Sequence, residues 1–165
     1  MEIRPERPED IASIHRVNEL AFGRPAEADL VDALRKGADP FVSLAAVIDE
    51  QVVGHILFTP VSVEGACRMM GLAPMAVLPE YQSRGIGSRL VEEGLKACTR
   101  LGMGAVAVLG HPEYYPRFGF EPASKHGLRS EYDVPDEVFM VKELAPGALS
   151  GCRGLIRYRP EFAEV

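Results

Sequence analysis

The stretch Gln82-Ser83-Arg84-Gly85-Ile86-Gly87 follows an apolar run over residues 72–78 and opens a helical pattern that reaches Leu101. A strand that runs into a glycine loop and then a helix builds an anion site. The first-turn N–H groups have no intrahelical partner, the helix dipole adds partial positive charge, and glycine lets a phosphate come close to the backbone. The loop lacks the G-x-x-x-x-G-K-[S/T] order of nucleoside triphosphatases, and Leu90 stands where a dinucleotide fold has its third glycine. A phosphorylated ligand of another kind is expected.

A second pattern lies downstream. Residues 105–109 form a short apolar strand pattern, followed by Tyr114-Tyr115-Pro116-Arg117-Phe118-Gly119-Phe120. Gln-x-x-Gly-x-Gly placed after Met75-Ala76-Val77-Leu78-Pro79, with Tyr-x-x-x-Gly-Phe beginning at Tyr115, resembles the paired signatures of the GNAT superfamily of acyl-CoA-dependent N-acyltransferases. The resemblance covers residues 3–144 and is densest between 72 and 120. It implies an α/β fold with a mixed central sheet flanked by helices, and acetyl-CoA (CoA) as cosubstrate without a metal.

The resemblance also implies roles by position. Backbone groups of Met75, Ala76 and Val77 would hold the pantetheine arm, with the Val77 N–H near the thioester oxygen. Gln82, Ser83, Arg84, Gly85, Ile86, Gly87 and Ser88 would form the pyrophosphate loop, its backbone N–H groups assisted by the Arg84 side chain. Tyr115 would be the general acid for the CoA thiolate, since a phenol of pKa about 10 keeps its proton at neutral pH. Taken alone, Tyr115 also reads as an aromatic filling a sheet face. Its neighbour Tyr114 is expected to face elsewhere and pack.

Many family members place an asparagine about two helical turns before the tyrosine, whereas this chain has the compressed Gly110-His111-Pro112-Glu113. That predicts a short helix and puts His111 at the carboxyl end of a parallel strand, as a proton acceptor, a CoA contact or an ordinary loop residue. Glu27 shares a helical face with Leu30, Val31 and Leu34, which directs its carboxylate along an apolar stripe. Such a carboxyl can accept a proton at a partly desolvated cleft, or simply stabilise the helix N-terminus. His55 either lines the cleft or is bonded in the core. A water chain could deprotonate the amine with no single base. The catalytic candidates are therefore Tyr115, Glu27 and His111.

The 165 residues carry a net charge of −6, enough chain for one domain with its own core and the wrong balance for nucleic acid or an anionic membrane. No apolar run approaches the roughly 20 residues of a membrane span, and Met1-Glu2-Ile3-Arg4-Pro5 has no signal or transit character, so the cytoplasm is expected. Cys67, Cys98 and Cys152 are odd in number and lack C-x-x-C spacing, which predicts neither a disulfide framework nor a zinc site. Cys98 reads as a core residue of the long helix, which speaks against a ping-pong thiol.

Periodicity predicts a strand at 3–5, a helix opened by Pro8, a helix at 26–36, and antiparallel strands at 41–48 and 52–63, with Gly54 and Pro60 marking a bulge or an edge. After the long helix come a parallel strand at 105–109, a helical turn near Glu113, a strand from Phe120 and a last strand at 138–144. Residues 1–144 then make the N-acetyltransferase domain and 145–165 an extension packed on it or on a partner, while 124–135 loops over the acceptor side. The expected reaction carries an acetyl group from acetyl-CoA to a primary amine, on a small molecule or a peptide, by direct attack in a ternary complex. The alternative is a non-catalytic acyl-CoA-binding sensor. A homodimer through the sheet edge or the extension is compatible with either.

Overall fold

The computed structural model describes residues 1–164; Val165, the last residue of the expected extension, lies outside them. The elements in chain order are β1 (Glu2–Pro5), α1 (Ile11–Phe22), α2 (Ala26–Gly37), β2 (Val42–Ile48), β3 (Gln51–Pro60), β4 (Ser62–Gly65), β5 (Met69–Val77), α3 (Ile86–Arg100), β6 (Ala105–Leu109), β7 (Glu121–Pro122), β8 (Leu128–Ser130), β9 (Phe139–Glu143) and β10 (Cys152–Arg157). Pro8 opens a 3-10 turn ahead of α1. There the Asp10 carboxylate accepts from the Arg7 N–H at 2.8 Å and from Arg4 Nη1 at 2.6 Å, which fixes the entry of the helix.

Seven strands form the main sheet in the order β1-β2-β3-β5-β6-β9-β7. Every pair in it is antiparallel except β5 with β6, which the α3 crossover makes parallel, as the sequence predicts. Adjacent β3 residues alternate faces. His55 meets Asn18 of α1, while Gly54 lies against Ile86 and Leu90 of α3, so α1 and α3 cover opposite faces. Leu90, Val91, Leu95 and Cys98 of α3 are buried, as their spacing requires. A methyl group on Gly94 would collide with the buried Phe58 ring, so this helix approaches the sheet closely.

Two expectations are corrected. The strand expected over residues 52–63 is two strands, because Pro60 has no N–H for the ladder, and β4 leaves for a second sheet of order β4-β10-β8. The strand at 138–144 is not the last, since β10 follows it. Gly154 in β10 has a φ of +82°, and this irregularity hides the strand from a search for alternation.

Cys67 and Cys152 form a disulfide, contrary to the expectation from their number and spacing. Their Cα atoms are 5.3 Å apart across a separation of 85 residues. Spacing could not reveal this, because their proximity is created by the pairing of Cys152 with Gly65 across β10 and β4. Opening so long a loop should cost about 2–4 kcal/mol. Reduced protein is therefore expected to melt below oxidised protein in a thermal scan, with Cys152→Ser matching the reduced form. Equal melting would show that the bond contributes nothing.

Candidate active site

The cleft begins where β5 and β6 part. They pair over only three positions, Met69 with Ala105, Met70 with Val106 and Gly71 with Ala107, yet β5 runs on to Val77. Beyond Gly71 the β6-facing edge of β5 has no strand beside it among the described residues, while its other edge stays paired with β3 as far as Val77 opposite Gly54. Met75, Ala76 and Val77 all lie on this stretch.

Gln82 ties the following loop back to the strand, its Nε2 donating to the Val77 carbonyl at 3.0 Å. Ser83 and Gly85 take left-handed φ values of 63° and 82°. Such turns gather successive N–H groups around one point. Ile86, Gly87 and Ser88 follow as the first residues of α3, so their N–H groups lie where a helix has no internal acceptor. Arg84 stacks over Tyr81 with its guanidinium carbon 5.3 Å from the ring centre, which keeps this cation beside the loop.

Tyr114 does not face away, as expected, but toward this loop. Its hydroxyl is 3.1 Å from Ser88 Oγ, and a Cβ added to Gly87 would stand 3.4 Å from that hydroxyl and 3.5 Å from Met75 Cε. Arg117 lies over the Tyr114 ring at 4.6 Å, beside a groove of about 520 Å³ lined by Ser88, Glu92, Leu95, Lys96, Arg117 and Phe118. Tyr114 is the site residue that sequence reasoning missed. Two adjacent tyrosines give no signal of which one turns inward.

Tyr115 begins a 3-10 turn, Tyr115–Phe118, rather than the helical turn expected near Glu113. Its ring fills the space that a side chain on Gly110 would need, at the end of β6, and packs edge-on against Tyr114 and Phe120 with ring centres 5.1 and 5.6 Å away. Burial, with a smaller contribution from Tyr114, pushes its phenol up to about 12. His111 is exposed at the same strand end, and its carbonyl accepts from the N–H groups of Tyr114 and Tyr115, so its backbone shapes the turn. Glu27 is buried on α2 and held by Arg24, whose Nε donates to Oε1 at 3.0 Å. Tyr115 and His111 thus lie together at the end of β6, and Glu27 lies on α2 in its bond with Arg24.

His55 belongs to the core. Arg35 donates to Glu6 through Nε at 2.7 Å and Nη2 at 2.8 Å, Ser43 Oγ donates to Glu6 at 2.7 Å, and His55 Nε2 lies 2.9 Å from Ser43 Oγ. With Ser43 donating to Glu6, His55 must donate through Nε2–H, which leaves Nδ1 to accept from Asn18 Nδ2 at 3.2 Å. Protonated Nδ1 would set one N–H against another. Burial is the main force holding this imidazole down at about 4.

Residues 2–123 match the family pattern described as an acetyltransferase (GNAT) domain. The chain belongs to the GNAT acetyltransferase family. It is 40% identical to the uncharacterized N-acetyltransferase YhbS of Escherichia coli K12 over 164 residues, 98% of either chain. The crystal structure of Escherichia coli YhbS in complex with CoA is similar at a TM-score of 0.92, covering 98% of this chain and 91% of that one. A GNAT-family acetyltransferase from Brucella melitensis, crystallised with acetyl-CoA, is 35% identical at a TM-score of 0.79, covering 98% and 97%. These likenesses fix the fold expected from the two sequence signatures. No helix among the described residues is long and apolar enough to cross a membrane.

Proposed function

We propose that this protein transfers an acetyl group from acetyl-CoA to a primary amine, on a small molecule or a peptide, by direct attack in a ternary complex. The observation that carries the reading is the parting of β5 and β6 beside the anion loop of α3. A pantetheine arm is a chain of amides, and the stretch Met75, Ala76 and Val77, unpaired on its β6-facing edge, can pair with it as with an added strand. The pyrophosphate then falls on the N–H groups of residues 83–88 with Arg84 beside them. Lys96 and Arg117 in the adjoining groove suit the remaining phosphate of the nucleotide. The CoA and acetyl-CoA complexes of the two structural relatives support the same cosubstrate.

In the reaction the amine nitrogen bonds to the thioester carbon while the Val77 N–H stabilises the oxyanion, and the carbon–sulfur bond breaks as the intermediate collapses. Tyr115 gives its proton to the departing sulfur. The amine proton goes to Glu27 or to a water chain, and His111 contacts CoA at the strand end. The domain doing this work spans residues 1–144 with 145–165 as its extension, acting in the cytoplasm where acetyl-CoA is made available, alone or as a homodimer.

The deciding measurement is the melting temperature with acetyl-CoA, CoA, NAD and ATP in parallel. A rise with the first two alone is expected, and no rise with either CoA ligand would overturn the reading. Gly87→Val sharpens it. The added Cβ makes ordinary contacts with Tyr114 and Met75, while the branched side chain stands in the approach proposed for the phosphate. Affinity for acetyl-CoA should fall by roughly 10- to 100-fold, the value of a lost charge-assisted hydrogen bond, with the melting point of the free protein nearly unchanged. Undiminished affinity in a calorimetric titration would place the phosphate elsewhere.

A further inference from the structure

The Cys67–Cys152 bond closes a corner of the second sheet that has few other ties. Cys152 stands opposite Gly65 and Arg153 opposite Glu64, after which the register shifts before Arg157 meets Ser62. The Arg153–Glu64 ion pair at 3.3 Å is exposed on both sides, and such pairs contribute little. The turns that carry the two cysteines meet backbone to backbone. A Cβ on Gly65 would collide with the Gly151 carbonyl, and one on Gly151 would stand 2.9 Å from the Ala66 carbonyl oxygen. The sulfur bridge is therefore the strongest single tie between β10 and β4. Cys67 is half-buried and Cys152 buried, so a dissolved thiolate meets Cys67 first. The Cys152 sulfur lies 3.3 Å from the Ala148 carbonyl, which can accept an S–H once the bridge is open. Both states of the pair thus have a place in the fold.

From this corner β10 leads to the point where β5 and β6 part. Tyr158 follows the strand, and its ring lies over Gly71, where a Cβ would stand 2.7 Å from its Cε1. Gly71 pairs with Ala107 at the last position before the strands diverge. Arg159 then donates to the Gly37 carbonyl at the end of α2 at 2.9 Å, and Phe162 packs on the main core. Residues 152–162 thus form a strap from the disulfide to α2, with Tyr158 seated at the parting. Resting on the acetyltransferase reading above, we propose that the Cys67–Cys152 bond is a redox latch on this strap, which a small thiol such as glutathione opens to slow acetyl transfer and oxidised glutathione closes to restore it. In opening, a glutathione thiolate bonds to the Cys67 sulfur as the Cys67–Cys152 bond breaks, and the departing Cys152 thiolate takes up a proton. A second glutathione attacks the mixed disulfide, releasing the Cys67 thiol and oxidised glutathione. One disulfide is reduced and two glutathione thiols are oxidised; closing is the reverse exchange. In a compartment that keeps glutathione reduced, a bond of this kind is transient and acts as a sensor. Cys98 is buried in α3 and takes no part. The loop before α3 is tied to Val77 through Gln82, outside the strap, so affinity for acetyl-CoA is the same in both states.

The test equilibrates the full-length protein in glutathione buffers from oxidising to reducing. Alkylation followed by mass reads the two thiols, amide hydrogen exchange reads the strap, and mass detection of acetylated products from a mixture of primary amines and peptides reads transfer. Reduction should speed exchange over residues 152–158 by roughly 30-fold or more while leaving α3 unchanged, since only the strap loses its tether. Transfer should slow by roughly tenfold or more as the parting loses its seated ring, with acetyl-CoA affinity within about twofold. Reoxidation should restore both. Cys152→Ser should match the reduced parent at every glutathione ratio. A bond that persists in a large excess of reduced glutathione would overturn the proposal, as would exchange that quickens alike throughout the molecule or equal rates of transfer in the two states. A parent that neither binds acetyl-CoA nor transfers acetyl in either state would count against the acetyltransferase reading. Exchange over residues 152–158 would then still decide the latch, and no change on reduction would overturn it.

Discussion

Tyr115→Phe should lower kcat by roughly 100-fold while leaving acetyl-CoA affinity within about twofold, the lower end of what a general acid contributes. The phenyl ring keeps the packing against Tyr114, Phe118 and Phe120, whose ring centres lie 5.1, 6.4 and 5.6 Å away, so the turn should fold as before. Only the proposed proton source is lost. With the phenol pushed up to about 12 by burial, the group stays protonated through the physiological range, and the parent rate should show no alkaline fall from Tyr115 below about pH 11. Tyr114→Phe should behave differently, raising KM for acetyl-CoA a few-fold at constant kcat, because its hydroxyl lies at Ser88 by the loop. Steady-state thiol release with both variants separates these roles. An unchanged kcat in Tyr115→Phe would remove Tyr115 as the acid, and a parent that binds acetyl-CoA but turns over no amine would favour the sensor reading.

Arg35→Met is expected to cost about 3–5 kcal/mol of stability. The guanidinium side chain is only 15% exposed and the Glu6 carboxylate 10%, so removing Arg35 strands a buried charge beside Ser43 and His55. Burial tends to raise the Glu6 carboxyl, yet the hydrogen bonds from Arg35 and Ser43 outweigh it and hold it below its ordinary 4.5. This contribution is present above pH 4.5 and is lost as pH falls through the folded value. The imidazole of His55 acts in a higher window. Unfolded, it takes a proton near 6.5; folded, only near 4. Stability is thus present above pH 6.5 and lost as pH falls toward 4, with about 2 kcal/mol gone between pH 7.5 and 5. Urea unfolding across that interval lies above the ordinary carboxylate values, and His55→Gln should flatten the slope. A parent with equal stability at pH 7.5 and 5 would contradict a neutral buried His55.

How much of this could be read from the sequence follows from distance along the chain. The strand, loop and helix over residues 72–101 carry their own signals, namely an apolar run, glycines at fixed offsets and a helical stripe, so both the fold and this strand–turn–helix were legible. Glu27 was correctly placed on the buried stripe of α2, but Arg24, three residues away, gives it a partner that a stripe does not reveal. The network of Glu6, Arg35, Ser43 and His55 was hidden because its members come from two strands, a helix and the segment after β1, 37 residues separating Ser43 from Glu6. The same holds for the Cys67–Cys152 bond and for Tyr158, which depend on β10 pairing with β4 and β8. Local pattern has no access to register between such distant segments.

That second sheet also gives the molecule a direction in time. The chain emerges N-terminus first and domains begin to form as they appear. The parting strands, the loop before α3 and the tyrosine turn are all available once residue 118 has been made, whereas β4 and β8 have no partner in the second sheet until β10 follows. A chain cut before Cys152 would thus keep the strands and loop proposed to hold the cosubstrate while β4 and β8 lose the strand that joins them.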